Sequence, residues 1–193
     1  VYGRKIGLSI SDIAVMMSLA LLIGAIIQIP VGLLSDKVDR RAVLVGMGIL
    51  ATITGLALSV ADSLGPIAVI VLVSAFGGMI YSMYPVILAH ASDHAAPGDF
   101  LKTSGGLLLI FGAGTMVGPV AAAALMSAST PGALFHVTAA AHLAMVLFTA
   151  WRMTRRAAVR VEEKSDFVPV IATARFSTPE SSVLDPRADE KAA

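Results

Sequence analysis

Few side chains in this sequence are placed to do chemistry. The densest group is Gly32–Arg41, Gly-Leu-Leu-Ser-Asp-Lys-Val-Asp-Arg-Arg, with five charges in ten residues between two apolar runs. Read physically, it is a tight hairpin joining two helices. Gly32 would let the helices approach closely. Asp36 stands where it can cap the second helix and meet the positive end of its dipole. Arg40 and Arg41 would anchor among anionic headgroups. That chemistry is capping and charge pairing, not bond making. A second group, His90, Asp93 and His94, has the spacing of one helical face, as metal ligands would. Its place at a helix exit beside Pro97-Gly98 favours a gate or a cap, and no metal site is expected. No nucleophile–base pair, phosphate-cradling glycine loop or His-Glu-x-x-His motif appears, so neither an enzyme nor a cofactor is expected.

Polar side chains inside apolar runs are the default functional candidates in a membrane. No acid or base lies deep in any run here, which leaves Gln28, Tyr81, Ser82, Tyr84, His136 and His142. Gln28, about two turns before the hairpin, either faces a vestibule or makes an interhelical hydrogen bond. Tyr81 and Tyr84, three apart on one face, are candidates for the substrate pathway, against plain packing. His136 falls near a turn, and His142 in the last run.

These residues must be positioned by membrane-spanning helices. Of the 193 residues, 56% are hydrophobic and 14% charged, and mean hydropathy is +0.84; a soluble domain carries roughly 25% charged residues. A span needs about 20 apolar residues. There are 23 residues without charge between Asp12 and Asp36, 20 between Arg41 and Asp62, 30 from Ser63 to Ser92, and 49 from Thr103 to Trp151. The Ser127–Gly132 cluster splits the last of these, since Pro and Gly punctuate helices. The expectation is an all-α membrane protein with a transmembrane domain over 1–151 and five spans near 13–34, 43–61, 66–90, 104–126 and 133–151. Ser11 or Asp12 would cap the first. Residues 152–193, with three prolines among polar residues, are expected to form a largely disordered tail.

Charge sets the orientation. Lys37, Arg40, Arg41, Lys102, Arg152, Arg155, Arg156, Arg160 and Lys164 fall on one side, against Arg4 and Lys5 on the other. The positive-inside rule then puts hairpin and tail in the cytoplasm. A net charge of +1 implies no nucleic-acid partner, and the absence of cysteine excludes disulfides and thiolate sites. A start at Val1 with no basic leader leads to the expectation of a truncated chain without a signal peptide.

Gly32, Asp36, Lys37, Arg40 and Arg41 resemble the hairpin signature of the major facilitator superfamily, Gly-x-x-x-Asp-Arg/Lys-x-Gly-Arg-Arg/Lys, with Asp39 where the family usually has glycine. Gly105, Gly114, Gly118 and Pro119, followed by Ala122 and Ala123, resemble the family's glycine–proline helix, physically a small-xxx-small packing face. Ile27–Gly32 and Tyr84–Ala89, with the absence of an arginine in the third span, look like the C-terminal half of the YcaD-like branch of permeases. The resemblance covers Tyr2 to Trp151. It implies helices eight to twelve of a twelve-helix secondary transporter in a plasma membrane, the bacterial inner membrane. It also implies a hairpin whose charges re-pair as the transporter switches state, and a dependence on the missing N-terminal half. The solute is unknown, and the lipid bilayer is the remaining partner. The competing reading is a non-transporting five-helix scaffold or accessory subunit acting through its tail.

Overall fold

A computed structural model describes residues 2–96, 99–164 and 167, with Asp62 described by its backbone alone. The elements are α1 (Tyr2–Lys5), α2 (Ile10–Lys37), α3 (Arg40–Leu58), α4 (Pro66–Ser92), α5 (Phe100–Ala128) and α6 (Ala133–Arg155), with 3-10 turns at Ala61–Leu64 and Val161–Glu163. The described residues form no strand. Helices α2 to α6 are each long and apolar enough to cross a membrane. This is an all-helical membrane protein with five spanning helices.

The first span begins earlier than expected. Ser9, not Ser11 or Asp12, caps α2: its hydroxyl accepts from the Asp12 amide at 3.1 Å while Asp12 Oδ2 accepts from the Ser9 amide at 3.3 Å. The reciprocal capping box satisfies two donors that the first turn would otherwise leave open. Short turns between these long helices then fold the chain back and forth. At the turn into α4, Gly65 takes φ +91°, a region an L side chain avoids, and Pro66 supplies the first helical position.

Helix α2 packs along α4, and α3 packs along α4 and α6. The buried stripe of α2 is Met16, Ala20, Gly24, Gln28, Gly32 and Ser35, every third or fourth position and therefore one face. Small residues set the α2–α4 distance. A Cβ on Gly78 would lie 2.6 Å from Ile23 Cγ2, and one on Gly77 2.6 Å from Ala20 Cβ. The Ser82 hydroxyl, fully buried, bonds the Gly78 carbonyl at 2.7 Å in its own helix and lies 3.2 Å from the Gly24 carbonyl of α2. Away from the hairpin, Lys5 Nζ donates to the Met126 carbonyl at 2.8 Å, and the Tyr2 and Phe135 rings meet edge to face at 4.7 Å. The short α1 thus closes the end opposite the hairpin.

Helix α5 stands apart. It touches its neighbours sparingly, and every residue from 113 to 121 is exposed.

Candidate functional site

The site is built where α2, α3 and α4 end together. Val38 stops α2 in extended conformation, and Asp39 opens α3. Asp39, rather than Asp36, is the cap: its Oδ1 accepts from the Arg41 amide at 3.0 Å. It sits at φ −54°, ψ 118°, so the position that the hairpin signature gives to glycine needs no left-handed backbone here. Aspartate supplies a capping carboxylate instead. The same carboxylate clasps the Arg41 guanidinium, 2.8 Å from Nη2 and 3.1 Å from Nε. Burial works to raise the Asp39 pKa, but the Arg41 hydrogen bonds and charge outweigh it and hold the carboxyl below the ordinary 3.8.

Asp36 does different work. Arg40 Nη1 lies 3.0 Å from Asp36 Oδ1, a charge contact without hydrogen-bond alignment. Arg40 also donates from Nη1 to Ser35 Oγ at 3.0 Å and from Nε to Asp93 Oδ2 at 2.8 Å. The Arg40 and Asp93 side chains are each 1% exposed. Neither hairpin arginine therefore reaches out to lipid headgroups as expected. Arg40 is locked inside the protein, between carboxylates on α2 and at the end of α4. Arg41 is buried too, and its Nη1 donates to the Arg156 carbonyl at 3.0 Å. Lys37 alone of the hairpin cations is exposed without an ion pair among the described residues.

Asp93 is the residue that reading the sequence missed. Its spacing from His90 and His94 suggests a gate, a cap or a metal face. Its carboxylate is instead committed to Arg40, 53 residues away. The two histidine rings lie 4.7 Å apart edge-on, with His94 Nδ1 donating to the His90 carbonyl at 2.9 Å. The sequence signal was there, an acid at the mouth of an uncharged span on the arginine-rich side.

The chain beyond α6 returns to the same place. Lys164 Nζ donates to the carbonyls of Ser35 (3.2 Å) and Val38, among the last orphan acceptors of α2. The Phe167 amide donates to Asp36 Oδ2 at 3.2 Å. The Phe167 ring lies against Gly32, where any Cβ would collide with it. Gly32 is thus small to admit a side chain of the tail, not a neighbouring helix. Within 152–193, α6 runs to Arg155, and residues 156–164 lead back to the hairpin. Apart from Phe167, the remainder of 152–193 lies outside the described residues.

The other candidates are dispersed. Gln28 is buried on α2, on the stripe that meets α4. Tyr81 packs on Gly24 of α2, whereas the Tyr84 ring meets Phe111 of α5 at 5.6 Å, so the pair turns toward different helices. His142 donates to the Thr138 carbonyl at 2.6 Å and sits edge-on to Phe76; His136 is exposed. On α5 no atom lies within 4 Å of a Cβ built at Gly105, Gly114 or Gly118, and the helix runs through Pro119 unbroken.

The family model of the Major Facilitator Superfamily matches residues 1–183. The chain belongs to the major facilitator superfamily. No curated protein and no solved structure matches it. Members of this superfamily are membrane transporters, and the chain is a transporter-type integral membrane protein rather than a member of an enzyme family. The Asp36–Arg40–Asp93 cluster ties together the C-terminal end of α2, the first turn of α3 and the C-terminal end of α4.

Proposed function

We propose that the chain is the C-terminal part of a secondary-active transporter of the YcaD-like branch, with α2 to α6 standing as helices eight to twelve. It takes part in moving a small solute by alternating access, in which two halves rock about a midplane site. The hairpin face is cytoplasmic, in a bacterial inner membrane, by the excess of Lys and Arg there. Gln28, Tyr81 and Tyr84 contribute one side of the solute pathway. The glycine face of α5 receives helices of the N-terminal half.

The observation that carries this reading is the buried Arg40, which bridges Asp36 and Asp93 across α2, α3 and α4. A buried cation held by two carboxylates on separate helices is stable only while those helices keep their places. It is therefore a contact that one transporter state holds and another gives up. Gly32, Asp36, Lys37, Arg40 and Arg41 form the state-switching hairpin, with Asp93 as its partner.

Two measurements test the reading. Reconstituted alone in liposomes, the chain is expected to give no saturable flux of any solute in a radiolabelled panel. Saturable flux from it alone would falsify the half-site. The DNA upstream of the Val1 codon is expected to encode seven more spans. An independent promoter and ribosome-binding site there would favour a five-helix scaffold.

A further inference from the structure

Beside the Asp36–Arg40–Asp93 cluster, on the side facing α6, lies a cavity of about 380 Å³ among α3, α4 and α6. That is within the roughly 300–1,000 Å³ of small-molecule sites. Its walls carry Arg41, Arg152 and Arg156, with His90 and His94 on one side and the apolar Leu44 and Phe148 on another. Three arginines lining one cavity repel one another unless something negative stands between them.

The nearby acids do not supply that charge. Asp39 is clasped by Arg41, and Asp93 faces Arg40. Arg152 and Arg156 have no carboxylate partner among the described residues, whereas Arg40 has two and Arg41, Lys102 and Arg160 have one each. Arg155, one turn from Arg152, points elsewhere and lies 5.9 Å over the Trp151 ring. Two of the six arginines near the hairpin thus have neither a carboxylate nor a ring partner among the described residues, and both line the same cavity.

The geometry points to a binding site for a phosphate-bearing anion, with Arg152 and Arg156 as its principal ligands. Guanidinium forks match phosphate oxygens two at a time, and a walled cavity focuses their field. Arg41 is already engaged through Asp39 and the Arg156 carbonyl, so it adds field and fixes the Arg156 backbone. Phe148 is 60% exposed and, with Leu147 and Trp151, continues the cavity wall into the apolar outer surface of α6. Basic pockets between helices at this level of a membrane take lipid headgroups. An anionic phospholipid supplies both the phosphate for the arginines and acyl chains for that surface. A soluble phosphate shares the first feature only. The site is independent of whether the chain transports anything.

The test uses the full chain purified in neutral detergent. Native mass spectrometry would count retained phosphatidylglycerol against phosphatidylcholine, and thermal unfolding would be followed with each lipid and with inorganic pyrophosphate. Phosphatidylglycerol is expected to be retained at least tenfold better than phosphatidylcholine and to raise the melting temperature. The Arg152→Gln/Arg156→Gln double variant is expected to lose that preference, while Arg155→Gln keeps it. Protection by pyrophosphate without lipid preference would assign the same site to a soluble phosphate. Equal retention of both lipids with no pyrophosphate effect would overturn the site, as would equal loss in Arg155→Gln. If the double variant does not fold, displacement of phosphatidylglycerol from the wild-type chain by pyrophosphate decides the matter; no displacement and no lipid preference rejects the proposal.

Discussion

Two sets of glycines in this protein share a vocabulary and differ in use. Along α2 and α4, Gly24, Gly77 and Gly78 are filled by Tyr81, Ala20 and Ile23 of the facing helix. Along α5, Gly105, Gly114 and Gly118 face nothing within 4 Å. In lipid, helices associate by close packing because burial of apolar surface gives no drive. A small-residue face is therefore an instruction to pack whose partner has to be found elsewhere. The α2–α4 seam has found its partner within the chain, and its hairpin end is clamped by Arg40, Asp93 and Lys164. Helix α5 has not.

The strongest way to break that contrast is to open the clamp. Asp93→Ala would leave Arg40 charged, buried and short of its best partner. Losing one member of a buried pair costs about 3–5 kcal/mol. Unfolding in mixed micelles should show that loss. Arg40→Met/Asp93→Leu, which removes both charges and keeps the bulk, should recover most of it. If Asp93→Ala melts with the wild type, the hairpin end is not clamped as described.

Next in size is the seam itself. Gly78→Leu would push a side chain into Ile23, whose Cγ2 already stands 2.6 Å from the Cβ position. Overpacking of that kind costs about 1–3 kcal/mol. Chemical denaturation in detergent reads it directly, and Gly77→Leu at Ala20 should behave alike.

A smaller effect comes from the cap between the two helices. Asp39 holds its proton less readily when folded than when unfolded, so its contribution is complete above the unfolded pKa. It fades as pH falls through the lower folded value, that is, below about pH 4. Asp39→Ala should cost about 1 kcal/mol at neutral pH, as loss of an N-cap does. It should also flatten the acid limb of the stability curve, which a pH series of melting temperatures would resolve. Asp39→Gly should cost less than Asp39→Ala, because glycine is itself tolerated at a cap.

What the sequence disclosed follows the range of the forces involved. The five spans were legible because burial in lipid excludes charge along whole runs, and Asp12, Asp36, Arg41 and Asp62 mark the edges. The hairpin was legible because its charges are contiguous. The partner of Arg40 was not, since Asp93 is brought to it only by the packing of α3 on α4. Ser9 and Asp12 have capping-box spacing, which would have corrected the start of α2. Phe167 against Gly32 depends on the tail turning back 135 residues later, and only the apolar Phe167–Ile171 run within a polar tail hinted at it. The direction of each tyrosine was equally out of reach, because a shared helical face at spacing three still spans two neighbours.

The smallest expected effect on stability is the most informative about α5. Gly114→Leu adds four carbons where nothing stands within 4 Å. In this chain by itself the change should move the unfolding midpoint by no more than about 0.5 kcal/mol, as exposed substitutions away from special features do. The same substitution in a chain joined to the seven helices proposed above to precede it should behave like Gly78→Leu, because the small face would then be covered. A joined protein in which Gly114→Leu stays neutral would mean that α5 meets lipid and not another helix. The pair Gly78→Leu and Gly114→Leu, measured in both forms, therefore separates a face that is filled within the chain from one that waits for a partner. The difference between the two forms at Gly114 is the quantity to measure, since it vanishes if α5 meets lipid in both and reaches the overpacking cost if a helix covers the face.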